Sequence, residues 1–216
     1  MTTLLLIRHA TTATTGKRLG GRTETPLDDG GRREAEALAG RLAEVPMKAL
    51  YASPLRRTME TAAAVGARLG LDARPCDGVI EVDYGSWTDR PLKQLARTKQ
   101  WQVVQSTPSL VAFPGGETLR AMQARAVDAV DGLVAAHRRE VIGVVTHADV
   151  VKALVAFYLG QPLDCFQRLH VATASVTMLQ LEPGGRPMLL RLNDDGPLAA
   201  ERFRGPPRTT KEGARG

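Results

Sequence analysis

Two short runs of the sequence are apolar at almost every position, and they restrict the fold more than any other feature. They are TLLLI (3–7) and VIGVVTH (141–147). A strand in a sheet with helices on both faces has no solvent side, so it lacks the alternation of apolar and polar residues. We therefore expect both runs to be interior strands of a sheet that is covered on its two faces.

Segments with helical periodicity separate the predicted strands. Residues 27–44 have apolar side chains at helical spacing, and Asp28 near their start is of a residue type that caps helices. Further helices are predicted for residues 54–70, 116–139 and 149–160, and one or two short helices for 90–105. A short strand is predicted for 49–53, and a terminal hairpin for 172–182 and 186–193. Strands that alternate with helices predict the α/β class, here a three-layer α/β/α sandwich with a mainly parallel central sheet.

No internal repeat and no linker divides residues 1–200, so we predict a single domain. Within it, the segment of about residues 89–114 is predicted to form a small cap over the ligand site. The apolar side chains that favour this interpretation are Trp101, Val103, Val104 and Phe113.

The net charge of +6 is unevenly distributed along the chain. Residues 201–216 hold five Arg and Lys against two Glu, and so supply +3 of it. These residues are nearly free of apolar side chains, which predicts a disordered basic tail. No basic stripe with interleaved aromatic residues occurs elsewhere, so we do not expect nucleic-acid binding.

The sequence favours a cytoplasmic protein. Its longest apolar runs are well short of the roughly 18 residues that a membrane-spanning helix needs, and its start lacks the features of a secretory leader. Cys76 and Cys165 are far apart and lack the C-x-x-C spacing of metal and redox sites. We expect reduced thiols and no association with a membrane.

Basic and imidazole side chains directly follow the predicted strands. Arg8 and His9 come after the first apolar run, and His147 ends the second. Arg57 lies in the first turns of the helix that follows the short predicted strand. Because the carboxyl ends of parallel strands meet at one edge of a sheet, we expect these groups at one crevice. Clustered cations need an anion to neutralise them, so the sequence predicts a phosphate pocket.

Five blocks of the sequence, in order, resemble motifs of the histidine phosphatase superfamily, the phosphoglycerate-mutase-like proteins. The blocks are IRHATT, YASPLRRTMETA, VIEVDYGSWTD, PGGET and VVTHADVVKAL. The resemblance covers residues 3 to about 180. The stretch from EVDYGSW to LRLNDDG is similar to an actinobacterial-type branch of uncharacterised phosphatase and phosphomutase homologues.

The resemblance implies a role for several residues. His9 matches the nucleophile that forms a phosphohistidine, and Glu81 matches the group that protonates the leaving oxygen. The positions that match phosphate-binding residues are Arg8, Arg57, His147, Thr15 and Ala148. Further candidates for the pocket are Arg22, Glu117 and Thr118. The resemblance implies no metal and no cofactor, since fixed cations neutralise the phosphate.

A second interpretation stays open for some residues beside these. Asp83 competes with Glu81 as the acid, whereas Arg56, next to Arg57, is expected to be a solvated helix residue. His137 is expected to be exposed. For His170 we prefer a structural role to a place in the pocket.

The function that the resemblance implies is a metal-independent phosphomonoesterase acting on a small phosphorylated metabolite. A phosphoglycerate-mutase-like phosphomutase is the alternative. The short EVDYG segment favours hydrolysis, because a mutase must shield its phosphohistidine from water. A non-catalytic phospho-ligand-binding module is a second alternative, which the intact nucleophile and acid candidates oppose. The terminal hairpin offers an edge at which two copies could pair, so a homodimer is a further expectation.

Overall fold

Strands and helices alternate along residues 1–196, the part of the chain that the computed structural model describes. The strands are β1 (Thr2–Arg8), β2 (Met47–Ala52), β3 (Ala73–Pro75), β4 (Val141–Thr146), β5 (Val176–Leu181) and β6 (Met188–Asp194). The helices are α1 (Asp29–Leu42), α2 (Arg56–Leu69), α3 (Leu92–Leu95), α4 (Lys99–Ser106), α5 (Leu119–Ala136) and α6 (Ala148–Tyr158). The predicted tail, residues 201–216, lies outside the described residues.

The six strands form one sheet in the order β3-β2-β4-β1-β5-β6. The first four in this order are parallel to one another, and β5 and β6 form an antiparallel hairpin beside β1. In the register of β1 and β4, Arg8 lies opposite Thr146. The residues that follow these two strands, His9 and His147, therefore leave the sheet side by side.

Strand β1 shows why its sequence is apolar without alternation. Leu4 and Leu6 pack into a core cluster that α5 and α6 share, whereas Leu5 and Ile7 pack into a second cluster with α1 and α2. All four side chains are fully buried. The sheet thus has a helical layer on each face, and the predicted three-layer α/β/α sandwich is confirmed.

Helix α1 begins as its sequence predicts. The Asp28 side chain accepts a hydrogen bond of 2.8 Å from the backbone nitrogen of Gly31, which satisfies one of the free N–H groups at a helix start. A Cβ atom at Gly31 would overlap the backbone oxygen of Thr11. The lack of a side chain there lets α1 approach the loop after β1, which carries the candidate site.

The segment of residues 90–105, for which one or two short helices were expected, forms two helices, α3 and α4, with a turn between them in which Thr98 caps α4. The structure differs from the predicted elements in one strand. Strand β3 was not predicted, because three residues are too few for a periodic pattern. The terminal hairpin is present, and β6 is an edge strand of the sheet. No helix within residues 1–196 is long and apolar enough to cross a membrane.

Candidate active site

A cavity of about 340 Å³ opens at the carboxyl edge of the parallel strands. Its walls come from the loop after β1, the start of α2, the start of α6 and residues 167–171, together with parts of the segment 81–113. The rings of His9 and His147 lie beneath it with centroids 5.3 Å apart. Parallel pairing of β1 and β4 therefore brings together residues that are 138 positions apart in the sequence.

His9 lines the cavity with a ring that is fixed in one tautomer. Its Nδ1 lies 2.7 Å from the backbone oxygen of Ala10. A carbonyl oxygen only accepts, so Nδ1 carries the proton and Nε2 keeps its lone pair. Burial, and then the charges of Arg57 and Arg8, lower the pKa of His9 to about 3. The ring is therefore neutral at physiological pH, the form in which an imidazole is a nucleophile.

The guanidinium groups of Arg8 and Arg57 line the same cavity. Arg57 donates to the backbone oxygens of Thr23 and Gly21 at 2.8 and 2.7 Å. Arg8 donates to the backbone oxygen of Val171 at 2.7 Å, and its Nε is buried without a hydrogen-bond partner among the described residues. Carbonyl partners hold both groups in place, and neither group forms an ion pair within residues 1–196, which suits them to bind phosphate.

His147 lies behind the cavity wall rather than on it. The residue is fully buried, with Nε2 2.8 Å from Oγ of Ser53 and Nδ1 3.2 Å from Nη2 of Arg57. Because a guanidinium group only donates, Nδ1 accepts and Nε2 carries the proton. Burial, and then Arg57 and His9, lower the pKa of His147 well below its ordinary value. The ring of His147 therefore contacts Arg57 in this structure, and its expected direct contact with phosphate stays a prediction.

The hydroxyl groups of Thr12, Thr14 and Thr15 lie together on the cavity wall in the loop after β1. Oγ1 of Thr12 lies 3.2 Å from that of Thr14 and 3.0 Å from that of Thr15. The backbone nitrogen of Thr12 also donates to Oγ1 of Thr15 at 2.9 Å. Ala148, the first residue of α6, lines the cavity as well. Thr15 and Ala148 therefore both line the cavity, and their role in phosphate binding stays a prediction.

Glu81 is a buried carboxyl group on the cavity wall, with 8% of the residue exposed. Its Oε1 accepts a hydrogen bond of 2.9 Å from the backbone nitrogen of Val82. Burial, and then the negative charge of Asp149, raise the pKa of Glu81 to about 7. A carboxyl group that keeps its proton near neutral pH is suited to protonate a leaving oxygen. The competing candidate, Asp83, does not line the cavity.

Three candidates for the pocket are engaged in contacts beside the cavity and are not among the residues that line it: Arg22, Glu117 and Thr118. Glu117 accepts hydrogen bonds from Nε and Nη2 of Arg125 at 3.0 and 2.7 Å, and from Nη2 of Arg22 at 3.3 Å. Arg125 also donates to three backbone oxygens of residues 78–81, the segment of Glu81. Thr118 caps α5 through a hydrogen bond of 3.0 Å. A place in the pocket for these three residues stays a prediction.

A polar cluster on the cavity wall was missed in the sequence. Asp149 accepts from the hydroxyl of Tyr84 at 2.8 Å and lies 3.5 Å from Nζ of Lys152. Lys152 also donates to Oε1 of Gln167 at 3.1 Å. All four residues line the cavity. The spacing of three between Asp149 and Lys152, which puts them on one face of α6, was the available signal.

The remaining histidine residues and Arg56 show mixed agreement with expectation. His170 is exposed and lines the cavity, contrary to the preferred structural role. His137 was expected to be exposed, but it is partly buried. Its Nε2 lies 2.8 Å from the hydroxyl of Tyr51 and its Nδ1 lies 2.7 Å from Oε2 of Glu140. Arg56 is solvated, as predicted.

The segment predicted as a cap supplies an apolar wall. Leu92, Trp101, Val104 and Phe113 line the cavity, and the ring of Trp101 stacks on that of Trp87 at a centroid distance of 6.3 Å. Val103, expected beside them, packs against the core instead. The cavity thus combines apolar surface with polar and charged groups.

The arrangement has the chemical parts that phosphoryl transfer needs. A neutral imidazole, the guanidinium groups of Arg8 and Arg57 and a carboxyl group with a raised pKa face one space. Within residues 1–196, no group of three or more His, Cys, Asp or Glu side chains is placed to hold a metal ion.

Comparison with known proteins identifies a family. A model of the histidine phosphatase superfamily (branch 1) matches residues 4–195. An acid phosphatase of Mycobacterium tuberculosis is 34% identical over 191 residues, which are 85% of this chain and 88% of that protein. Phosphoserine phosphatase 1 of Hydrogenobacter thermophilus is 27% identical over 199 residues, 89% of this chain and 92% of that protein.

A solved structure has the same fold over most of its length. It is the complex of a mycobacterial glucosyl-3-phosphoglycerate phosphatase with VO3, and it superimposes with a TM-score of 0.81. The two chains are 28% identical, and the match covers 88% of this chain and 98% of that one.

Proposed function

The chain belongs to the histidine phosphatase superfamily, and from this premise we propose that His9 carries the phosphoryl group in the reaction of a phosphoric monoester hydrolase. The substrate is a small phosphorylated molecule. The observation that carries the proposal is the fixed tautomer of His9, which has a lone pair on Nε2 while two guanidinium groups share its cavity.

The first step is attack of Nε2 of His9 on phosphorus. A nitrogen–phosphorus bond forms while the bond between phosphorus and the leaving oxygen breaks. Glu81 gives its proton to that oxygen, so the alcohol leaves neutral and the carboxyl group becomes a carboxylate. In the second step Glu81 takes a proton from water, whose oxygen bonds to phosphorus and releases phosphate from His9. Both His9 and Glu81 return to their starting states.

Arg8 and Arg57 hold the non-bridging oxygens through both steps. Their positive charges are already in position, so little reorganisation is needed when charge shifts in the transition state. His147 acts through Arg57, whose Nη2 lies 3.2 Å from its Nδ1. The hydroxyls of the loop after β1 add neutral hydrogen bonds to the same phosphate.

Turnover of p-nitrophenyl phosphate in the presence of EDTA tests this function. We expect hydrolysis that continues in EDTA and disappears in the His9→Ala variant. A matched control is His137→Gln, which removes an imidazole that does not line the cavity. Phosphate binding without turnover would favour the binding module, and a phosphoenzyme that resists water but transfers to a phosphoglycerate would favour the mutase.

We also propose the organisation that the sequence predicts. Residues 1–200 form one domain with a cap at about 89–114, and the protein works in the cytoplasm without nucleic-acid or membrane partners. Two copies pair through β6, whose exposed side chains include Met188, Leu190 and Leu192 at 42, 37 and 38%. Light scattering should give the mass of a dimer for the full chain and of a monomer for Leu190→Lys; equal masses would reject pairing through β6.

A further inference from the structure

The cavity extends beyond the groups that bind phosphate, and its outer polar wall is built of paired charges. Asp149 and Lys152 lie 3.5 Å apart on one face of α6. Both oxygens of Asp149 are engaged, because the second accepts from Tyr84 at 2.8 Å. Lys152 is held further by Gln167 at 3.1 Å and lies over the ring of Phe166. The side chains of Lys152 and Asp149 are only 15 and 20% exposed, so solvent screens the pair weakly.

A second cation of the cavity is compensated in the same way. Arg18 lines the cavity, and its Nε lies 2.7 Å from Oδ1 of Asp89. Arg8 and Arg57, in contrast, form no ion pair within residues 1–196. The unpaired positive charge of the cavity is therefore concentrated where the phosphate binds. A phosphomonoester carries a charge of about −1.5 to −2 near neutral pH, which these two arginines neutralise.

The cavity also offers apolar surface. The ring of Trp101 is part of this surface, together with Leu92, Val104 and Phe113. A leaving group in this space meets carbon surface as well as groups that both donate and accept hydrogen bonds. The donors are the ammonium of Lys152 and the amide of Gln167; the acceptors are the oxygens of Asp149 and Gln167.

On the basis of the proposed hydrolase, we infer that this enzyme prefers phosphomonoesters whose leaving group is uncharged and bears several hydroxyls, a polyol or a sugar. A hydroxyl both donates and accepts, so it fits a wall of mixed donors and acceptors. A carboxylate or a second phosphate is ionised and only accepts hydrogen bonds. It would be repelled by Asp149, and Lys152 would not offset this repulsion because its charge is already compensated by Asp149. The carbon–hydrogen face of the polyol packs against Trp101.

Three substrates of one size test the inference directly. Racemic glycerol 1-phosphate, 3-phosphoglycerate and n-propyl phosphate share a three-carbon leaving group. Besides the ester oxygen, that group carries two hydroxyls in the first, one hydroxyl and one carboxylate in the second, and no polar group in the third. We expect kcat/KM for glycerol 1-phosphate to exceed that for each of the others by about tenfold or more. Equal or faster hydrolysis of 3-phosphoglycerate would overturn the charge argument. Equal hydrolysis of n-propyl phosphate would overturn the role of the hydroxyls.

Two variants should move the preference in opposite directions. Asp149→Asn leaves Lys152 uncompensated, so the ratio of kcat/KM for glycerol 1-phosphate over 3-phosphoglycerate should fall. Lys152→Gln leaves Asp149 uncompensated, so the same ratio should rise. Both substrates are measured on one preparation, so a loss of folded protein cancels in the ratio. A ratio that stays constant in both variants would refute the inference.

The chain offers a matched control for the Asp149 variant. Asp131 accepts from the hydroxyl of Tyr158 at 2.8 Å, the same kind of contact, but neither residue lines the cavity. Asp131→Asn should therefore leave the substrate ratio at its wild-type value. Hydrolysis of p-nitrophenyl phosphate that depends on His9 tests the hydrolase separately. If that activity is present while 3-phosphoglycerate is preferred, the leaving-group inference fails and the proposed function stands.

Discussion

Replacement of Glu81 by Gln separates two effects of one buried carboxyl group. Glutamine has almost the same shape and can still accept the hydrogen bond from Val82. It cannot ionise, however, and it cannot deliver a proton to the leaving oxygen. The variant should therefore be less active than the wild type and, above neutral pH, more stable.

The size of the stability effect follows from the pKa of Glu81. A raised pKa means that the native state holds its proton more tightly than the unfolded state. The associated stability is fully present below about 4.5 and is lost as pH rises through about 7. At 1.36 kcal/mol for each pKa unit, this loss is about 3 kcal/mol. Glutamine does not titrate, so the Glu81→Gln variant does not lose this stability as pH rises. Between low and high pH, its free energy of unfolding relative to that of the wild type should therefore increase by up to about 3 kcal/mol.

Urea unfolding of both proteins at pH 5 and pH 8 measures this difference. Groups other than Glu81 titrate in both proteins, so their contribution cancels in the comparison. A difference between wild type and variant that does not change with pH would refute the electrostatic argument. The same result would mean that the pKa of Glu81 is not raised, and the raised pKa is the reason for identifying Glu81 as the proton donor.

Activity should depend on the leaving group in the same variant. A general acid contributes about 10²–10⁴-fold to rate when the leaving oxygen needs a proton. We expect Glu81→Gln to lose activity in this range on glycerol 1-phosphate but to lose less than about tenfold on p-nitrophenyl phosphate, because nitrophenolate leaves without protonation. In the wild type, kcat/KM on glycerol 1-phosphate should decrease as pH rises above 7. Equal losses on both substrates would contradict a role for Glu81 as proton donor.

Four further substitutions test the charge of the site and the contacts of α1, which packs beside it. Arg57→Ala should lower kcat/KM for p-nitrophenyl phosphate by about 10²–10³-fold with an unchanged circular dichroism spectrum, and a smaller loss would argue against direct phosphate binding. Gly31→Ala should lower the free energy of unfolding by ~3 kcal/mol, because the added Cβ meets the backbone of Thr11. Gly40→Ala, in the same helix but with open space around the added Cβ, should raise the free energy of unfolding by ~1 kcal/mol. Equal effects of the two substitutions would refute the packing argument. Asp28→Ala should cost about 1 kcal/mol in urea unfolding through loss of the α1 cap, and no change would refute the capping role.

The sequence predicts the part of the site that follows from strand topology. Arg8, His9 and His147 come at the ends of apolar strands, and parallel pairing places such ends together. Arg57 belongs to the first turn of the helix after β2. These positions depend only on the order of strands and helices, which hydrophobic patterning records well.

Other features of the site depend on side-chain contacts that patterning does not record. His147 is fully buried, and only the structure shows that its ring contacts Arg57 instead of lining the cavity. Arg125, in the middle of α5, reaches the backbone oxygens behind Glu81 across about 45 residues of sequence. Gln167 reaches the cavity from a segment of short 3-10 turns without helical or strand periodicity.

Direct observation of the phosphoenzyme tests the central claim. The enzyme is mixed with a ³²P-labelled phosphomonoester, quenched with denaturant at alkaline pH, where phosphohistidine persists, and digested for peptide mapping. We predict label on His9 in the wild type and no labelled peptide from His9→Ala. Label on another residue, or hydrolysis by His9→Ala at the wild-type rate, would contradict the mechanism.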